Sequence, residues 1–248
     1  MHRDTSINSY GYSPYPLSQY LAWIRTIFSS STPKGFKPFI ISIAPASVQE
    51  LSEMLDSIQG LRQVLNDAST TSEFSRIGVE LNTSCPNIPG HPPSAYDPQS
   101  LAPLLAVFRA RFEQDPTLTI GLKLAPYVHQ GQFQDMVDLL ASVSSEARHG
   151  EKSNCVSFLS CTNTLGSSLV FQDQAVPDAE SFKGNSEYAV PTVAGGLAGE
   201  PIHALSLGYN SQPVVFAICL LKSMLETFTR SGSFYQNIRM LRCGVFPS

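Results

Sequence analysis

Four short apolar runs, each bounded by turn residues and separated by stretches of helical periodicity, confine this chain to an α/β architecture with a parallel sheet. Phe39-Ile40-Ile41-Ser42-Ile43-Ala44 is apolar on both faces, as interior parallel strands are. Residues 77–84, 118–124 and 156–161 repeat the pattern. The intervening stretches carry Val48, Leu51, Leu55 and Ile58, then Leu101, Leu104, Leu105, Phe108 and Phe112, then Phe133, Met136, Val137, Leu140 and Val143, each set at helical spacing. An earlier helix holds Leu17, Tyr20, Leu21, Ile24 and Phe28, and ends before Pro33, Gly35 and Pro38. Ser47 with Glu50 three residues on predicts a capping box. In parallel sheets, polar residues at the carboxyl ends of strands are the functional candidates. Asn82 and Cys85, Lys123, and Thr162 with Asn163 all fall at such ends.

The second run continues into Asn82-Thr83-Ser84-Cys85-Pro86-Asn87-Ile88-Pro89-Gly90. A period of two puts Asn82 and Ser84 on one face, and the prolines stop the strand and stiffen the turn. Cys85 then lies between two carboxamides that can donate to and accept from a planar polar ligand. A lone cysteine in such a turn is ordinarily a small buried residue; the flanking asparagines favour a base or nucleophile. Lys123 shares a face with Thr119 and Gly121, opposite Ile120, Leu122 and Leu124. Its ammonium either meets an anion or snorkels past the strand end. Residues 6–14, with two tyrosines around Gly11 and a closing Pro14, predict a loop. Gly195-Gly196-Leu197-Ala198-Gly199 predicts either an ordinary turn or a close approach of ligand to backbone before a helix from Pro201.

Composition excludes several classes. With 248 residues, 42 % hydrophobic, 15 % charged and a formal charge of −4, the chain can bury a sizeable core and offers no basic stripe for nucleic acid or an acidic membrane surface. Its five dispersed cysteines form no C-x-x-C pair, which argues against a disulfide framework or zinc site and for a reducing compartment. The five histidines lack metal-ligand spacing. No apolar run is long enough to span a bilayer, and no signal peptide is visible.

Five segments occurring in family order resemble the class 1A dihydroorotate dehydrogenases, the soluble, fumarate-linked branch: Ser-Ile-Asn-Ser-Tyr-Gly at 6–11, Glu-Leu-Asn-Thr-Ser-Cys-Pro-Asn-Ile-Pro-Gly at 80–90, Gly-Leu-Lys-Leu-Ala-Pro-Tyr at 121–127, Cys-Thr-Asn-Thr-Leu-Gly at 161–166 and Gly-Gly-Leu-Ala-Gly at 195–199. The resemblance implies a (β/α)₈ barrel with FMN at its mouth, oxidising dihydroorotate to orotate in pyrimidine synthesis. By resemblance, Cys85 is the base that takes the C5 proton while the C6 hydride passes to the flavin. Asn8, Asn82, Asn87 and Asn163, with Thr164, hold the pyrimidine, and Tyr10, Gly11 and Tyr12 offer backbone contacts to the substrate carboxylate. Asn8, Asn82, Lys123, Thr162 and Gly199 contact the flavin. Fumarate as acceptor, a homodimer and a cytoplasmic location are implied in the same way.

The family also has strand–helix units before the Ser-Ile-Asn loop and flavin-phosphate turns near its end, neither of which has a counterpart here. The expected architecture is therefore an incomplete (β/α)₈ TIM-type barrel over residues 1–207, truncated at both ends relative to the family, with a protruding hairpin near 167–194 and a divergent tail at 208–248 containing a helix-like stretch at 214–229. Two alternatives stay open: a non-catalytic remnant or a subunit completed by another chain, and an enzyme exchanging electrons with NAD through an iron–sulfur partner.

Overall fold

The computed structural model describes residues 5–30, 38–67, 75–84, 93–146, 152–175 and 187–209. Its centre is a four-stranded parallel sheet in the order β2 (Phe39–Ile43), β3 (Ile77–Asn82), β4 (Thr119–Lys123) and β7 (Val156–Ser160). These are the four apolar runs, each ending one or two residues earlier than its apolar pattern. The crossovers are α2 (Val48–Val64), α3 (Pro98–Gln114) and α4 (Gln130–Ser142), preceded by α1 (Leu17–Ser30). A short antiparallel hairpin of β5 (Ser144–Glu146) and β6 (Lys152–Asn154) follows α4.

Register explains why one face is apolar and the other is not. Ile41 lies beside Val79, Val79 beside Ile120, and Leu81 beside Leu122. This face packs under the helices, with Leu51, Leu55, Ile58, Leu101, Leu105 and Phe108 fully buried. Each such side chain contributes about 1.5–3 kcal/mol relative to exposure. The opposite face carries Ser42 beside Glu80, Glu80 beside Gly121, Gly121 beside Phe158, and then Asn82, Lys123 and Ser160 in one row. Among the described residues the sheet does not close into a barrel.

The predicted cap on α2 forms with one change: Ser47 Oγ accepts from Glu50 N at 3.1 Å, while Glu50 Oε2 accepts from Ala46 N at 2.6 Å rather than from the cap residue itself.

Two predicted segments differ. The start of the predicted loop at 6–14 is strand β1 (Thr5–Asn8), and the glycine cluster is strand β9 (Ala194–Gly199). With β8 (Leu165–Leu169) they form an antiparallel sheet in the order β1-β9-β8. The glycines serve strand packing. A Cβ at Gly195 would stand 2.5 Å from the Asn8 carbonyl oxygen, and one at Gly196 would stand 2.2 Å from Thr164 Oγ1. Only hydrogen fits there. The excursion at 167–194 is described at its two ends, where Phe171 bridges Tyr188 in antiparallel fashion and Ala189 N donates to Val170 O at 2.9 Å. A one-turn helix α5 (Gln172–Ala175) lies between, and α6 (Glu200–Gly208) follows β9. The helix-like stretch at 214–229 lies outside the described residues.

Candidate functional site

The carboxyl ends of β3, β4 and β7 converge on one polar cluster. Parallel register places Asn82 beside Lys123 and Lys123 beside Ser160. Asn163, buried just beyond β7, crosses β4 to reach β3. Its Nδ2 donates to Ser84 O at 2.8 Å and lies 3.1 Å from both Asn82 Oδ1 and Ser84 Oγ. The loop holding Asn163 is fixed in turn, because its N–H donates to Leu124 O at 2.8 Å. Its Oδ1 accepts from Thr164 N at 2.9 Å. Two hydroxyls lock the β3 exit onto β4: Thr83 Oγ1 donates to Lys123 O at 2.7 Å and Ser84 Oγ to the same oxygen at 3.2 Å. The carboxamides of Asn82 and Asn163 are thus held in one orientation, as a site for a planar polar ring needs.

Lys123 is half-buried at this rim, and among the described residues it makes no ion pair. Next to the cluster, Thr162 Oγ1 is buried and has no hydrogen-bond partner. Buried polar atoms are normally satisfied. A cation without an acid and a hydroxyl without a partner are two unspent interactions at the carboxyl edge of the sheet, one after β4 and one after β7.

Asn8 and Thr164 meet through β9 rather than through the parallel sheet: Asn8 pairs with Gly196, against which Thr164 Oγ1 packs. Tyr10 and Tyr12 are exposed, and Tyr10 N donates to Asn8 Oδ1 at 3.3 Å. Gly11 is exposed beside them. Gly199 ends β9 opposite Thr5, three residues from the Asn8 pairing, with φ 84° and ψ −149°. The structure therefore unites Asn82, Lys123, Thr162 and Asn163, brings Asn8 to Thr164, and sets Gly199 at the far end of β9. Cys85 and Asn87 lie outside the described residues.

Burial pushes the thiols of Cys155 and Cys161 up to about 12, so neither ionises near neutral pH. Sequence reasoning gave no role to Thr83, Ser84 or Tyr209. Tyr209 is buried at the end of α6, where its hydroxyl accepts from Tyr127 N at 2.7 Å and donates to Ala125 O. Its ring stacks on Tyr127 at 5.5 Å. Ser206 Oγ donates to Cys161 O at 2.6 Å, so α6 is anchored to the loops after both β4 and β7. Among the described residues no group of three or more His, Cys, Asp or Glu side chains is arranged to hold a metal ion, and no helix is long and apolar enough to cross a membrane.

A dihydroorotate dehydrogenase (fumarate) of Lachancea kluyveri is 30 % identical over 195 residues, covering 75 % of this chain and 52 % of its own length. Dihydroorotate dehydrogenase A (fumarate) of Lactococcus lactis subsp. cremoris is 31 % identical over 176 residues, covering 71 % and 46 %. The chain resembles the class 1A, fumarate-linked dihydroorotate dehydrogenases. A probable dihydroorotate dehydrogenase A (fumarate) of Streptococcus pneumoniae is 29 % identical over 210 residues, covering 84 % of this chain and 56 % of its own. The chain spans about half the length of the curated relatives it matches. A ligand-free DHODH from Eimeria tenella shares the fold, with a TM-score of 0.53 at 13 % identity over 90 % of this chain and 59 % of the other. No protein-family model matches the sequence.

Proposed function

We propose that the carboxyl end of the β2–β3–β4–β7 sheet is the mouth of an incomplete (β/α)₈ barrel that holds FMN and oxidises dihydroorotate to orotate. The observation that carries this reading is Lys123: a half-buried ammonium with no acidic partner among the described residues, beside a rigid pair of carboxamides. The orphaned Thr162 hydroxyl fits the same group, since a flavin ring edge offers the hydrogen-bonding atoms it lacks. All three crossover helices lie on one face and polar side chains line the other, as in a barrel wall. We place the boundary of this unit just after Tyr209 rather than at the expected 207, with the residues beyond it as a separate tail. Tyr209 is buried, and its hydroxyl accepts from Tyr127 N and donates to Ala125 O.

When bound, FMN supplies the acceptor for the hydride leaving C6 of the substrate. Within this reading the chain's own residues do the rest. Lys123 presents a fixed positive charge to the anionic cofactor, and Thr162 hydrogen-bonds to it, with Asn8, Asn82 and Gly199 lining the same group. Asn82 and Asn163, together with Asn8, Asn87 and Thr164, orient the dihydropyrimidine ring. Backbone groups at Tyr10, Gly11 and Tyr12 receive the substrate carboxylate. Cys85, as thiolate, accepts the C5 proton. Cys155 and Cys161 are held protonated by burial, so neither serves as this base. Fumarate as the terminal acceptor, a homodimer and a cytoplasmic location belong to the same proposal, which the names of the fumarate-linked relatives support for the acceptor.

The test is direct. The purified chain is loaded with FMN and mixed anaerobically with dihydroorotate while the visible flavin band is followed. The band bleaches in the wild type, and Cys85→Ala slows bleaching by about 10²–10⁴-fold while leaving the bound flavin in place. A chain that takes up no FMN is the non-catalytic remnant instead, and a Cys85→Ala variant that bleaches at full rate removes Cys85 from the chemistry.

A further inference from the structure

Glu80 and Lys123 are the two charged residues on the polar face of the parallel sheet, and they make no ion pair with each other. Glu80 precedes Asn82 by two residues, and Asn82 is the register partner of Lys123. The two are therefore diagonal neighbours on one face of adjacent strands, a spacing that long side chains can bridge. Glu80 is 8 % exposed. A carboxylate removed from water seeks the nearest donor, and a neighbouring ammonium is the strongest on offer.

Both carboxylate oxygens are instead occupied by hydroxyls. Ser42 Oγ donates to Oε1 at 2.9 Å from β2, and Ser160 Oγ to Oε2 at 2.5 Å from β7. The second bond passes across β4, where Gly121 contributes no side chain. The Phe158 ring packs over Gly121 itself, so that a Cβ there would fall 2.1 Å from it, and the bond runs on the Ser160 side of that ring. The result is a Ser–Glu–Ser ladder from β2 to β7, with Ser42 and Glu80 one layer below Asn82 and Lys123 and Ser160 in the same row as they are.

We infer that Ser42 and Ser160 are positioning residues: by occupying both oxygens of Glu80, they keep this carboxylate off Lys123 and leave the ammonium to an anionic ligand. The inference rests on the reading of Lys123 as the ligand-facing cation and extends it to the layer beneath. Neither serine touches the ligand in this scheme; each acts through Glu80.

Trace acylation with acetic anhydride, read by mass spectrometry of the Lys123 peptide, tests this without any ligand. In Ser42→Ala/Ser160→Ala the freed carboxylate pairs with Lys123, holds the amine in its unreactive ammonium form and slows acylation about tenfold. Adding Glu80→Gln to that background restores the wild-type rate, which a merely structural role for the serines would not do. Equal acylation of wild type and double variant overturns the inference, as does slowing that Glu80→Gln leaves in place. If thermal melts show the double variant unfolded, Ser42→Ala alone carries the prediction, at about threefold slower acylation. FMN titration of the wild type separates the two layers of the argument. Failure to bind FMN sinks the flavin reading and leaves the acylation result standing, whereas binding predicts about tenfold weaker FMN affinity in the double variant, since the cation it meets is already paired.

Discussion

The two ends of the parallel sheet handle charge in opposite ways. At the amino ends of β3 and β4, Arg62 is wholly buried and every donor is engaged: its Nη1 donates to Asp115 at 2.6 Å, its Nη2 to Thr117 Oγ1 at 2.8 Å, and its Nε lies 3.4 Å from Asp67. Asp67, also buried, accepts from Arg76 N at 2.7 Å, Ser75 Oγ at 2.9 Å and Ile77 N at 3.1 Å. That network ties the end of α2 to the start of β3 and to the turn before β4. At the carboxyl ends, Lys123 has no acid and Thr162 Oγ1 has no partner among the described residues. A saturated network fixes a structure, whereas unspent polar groups leave interaction energy for a ligand. Under the proposed function, the contrast gives stability to one rim and binding to the other.

The largest expected effect lies at the saturated rim. Arg62→Ala takes the buried cation from Asp67, leaving it the longer pair to the partly exposed Arg76 at 3.8 Å, and urea unfolding should show a loss of about 3–5 kcal/mol. Lys123→Ala, at the other rim, should change stability by no more than about 0.5 kcal/mol. If Lys123→Ala proved as damaging as Arg62→Ala, the division of labour would be wrong. Asn163→Ala sits between the two. It removes the link from β7 to Asn82 and Ser84 and should cost about 1–3 kcal/mol in the same measurement. Under the proposed function it should also abolish dihydroorotate binding, which Arg62→Met would not touch.

The smallest effect is a dependence on pH. Burial alone would push the Asp115 carboxyl up, but hydrogen bonds from Thr117 and Gln59 and the Arg62 guanidinium outweigh it and hold the group below its ordinary value. A carboxyl depressed in the folded state contributes stability that is fully present above its unfolded pKa of about 3.9 and is lost as pH falls through the folded value. Acid titration of unfolding should therefore show stability falling below about pH 4, and Asp115→Asn should flatten that slope. Ligand affinity at the other rim should not follow the Asp115 transition.

How much of this was legible in the sequence differs between the rims. The four parallel strands and their helices were visible because apolar periodicity reports burial directly: Val79, Ile120 and Leu122 alternate against Glu80, Gly121 and Lys123 on the paired strands. The meeting of Asn82 with Asn163 followed from their places at strand ends. The β1–β9–β8 sheet was not legible. Gly195 and Gly196 carry no side-chain pattern, and the need for them comes from Asn8 and Thr164, far away in sequence. The saturated rim was also hidden. Arg62 on a helix reads as a solvent-facing residue, and its partners Asp67 and Asp115 follow two different helices. Glu80 was visible as a charge within an apolar strand, but its serine partners on β2 and β7 became apparent only with the register in hand.

The contrast between the rims can be tested by thermal melts of the wild type, Arg62→Met and Lys123→Met, each with and without saturating FMN. A ligand that binds only the folded chain raises Tm in proportion to its occupancy. The account predicts that FMN raises the Tm of the wild type and of Arg62→Met by similar amounts, although Arg62→Met starts lower, and that Lys123→Met starts near the wild type and loses most of the rise. An FMN-dependent rise as large in Lys123→Met as in the wild type, or no rise in the wild type at all, would contradict it.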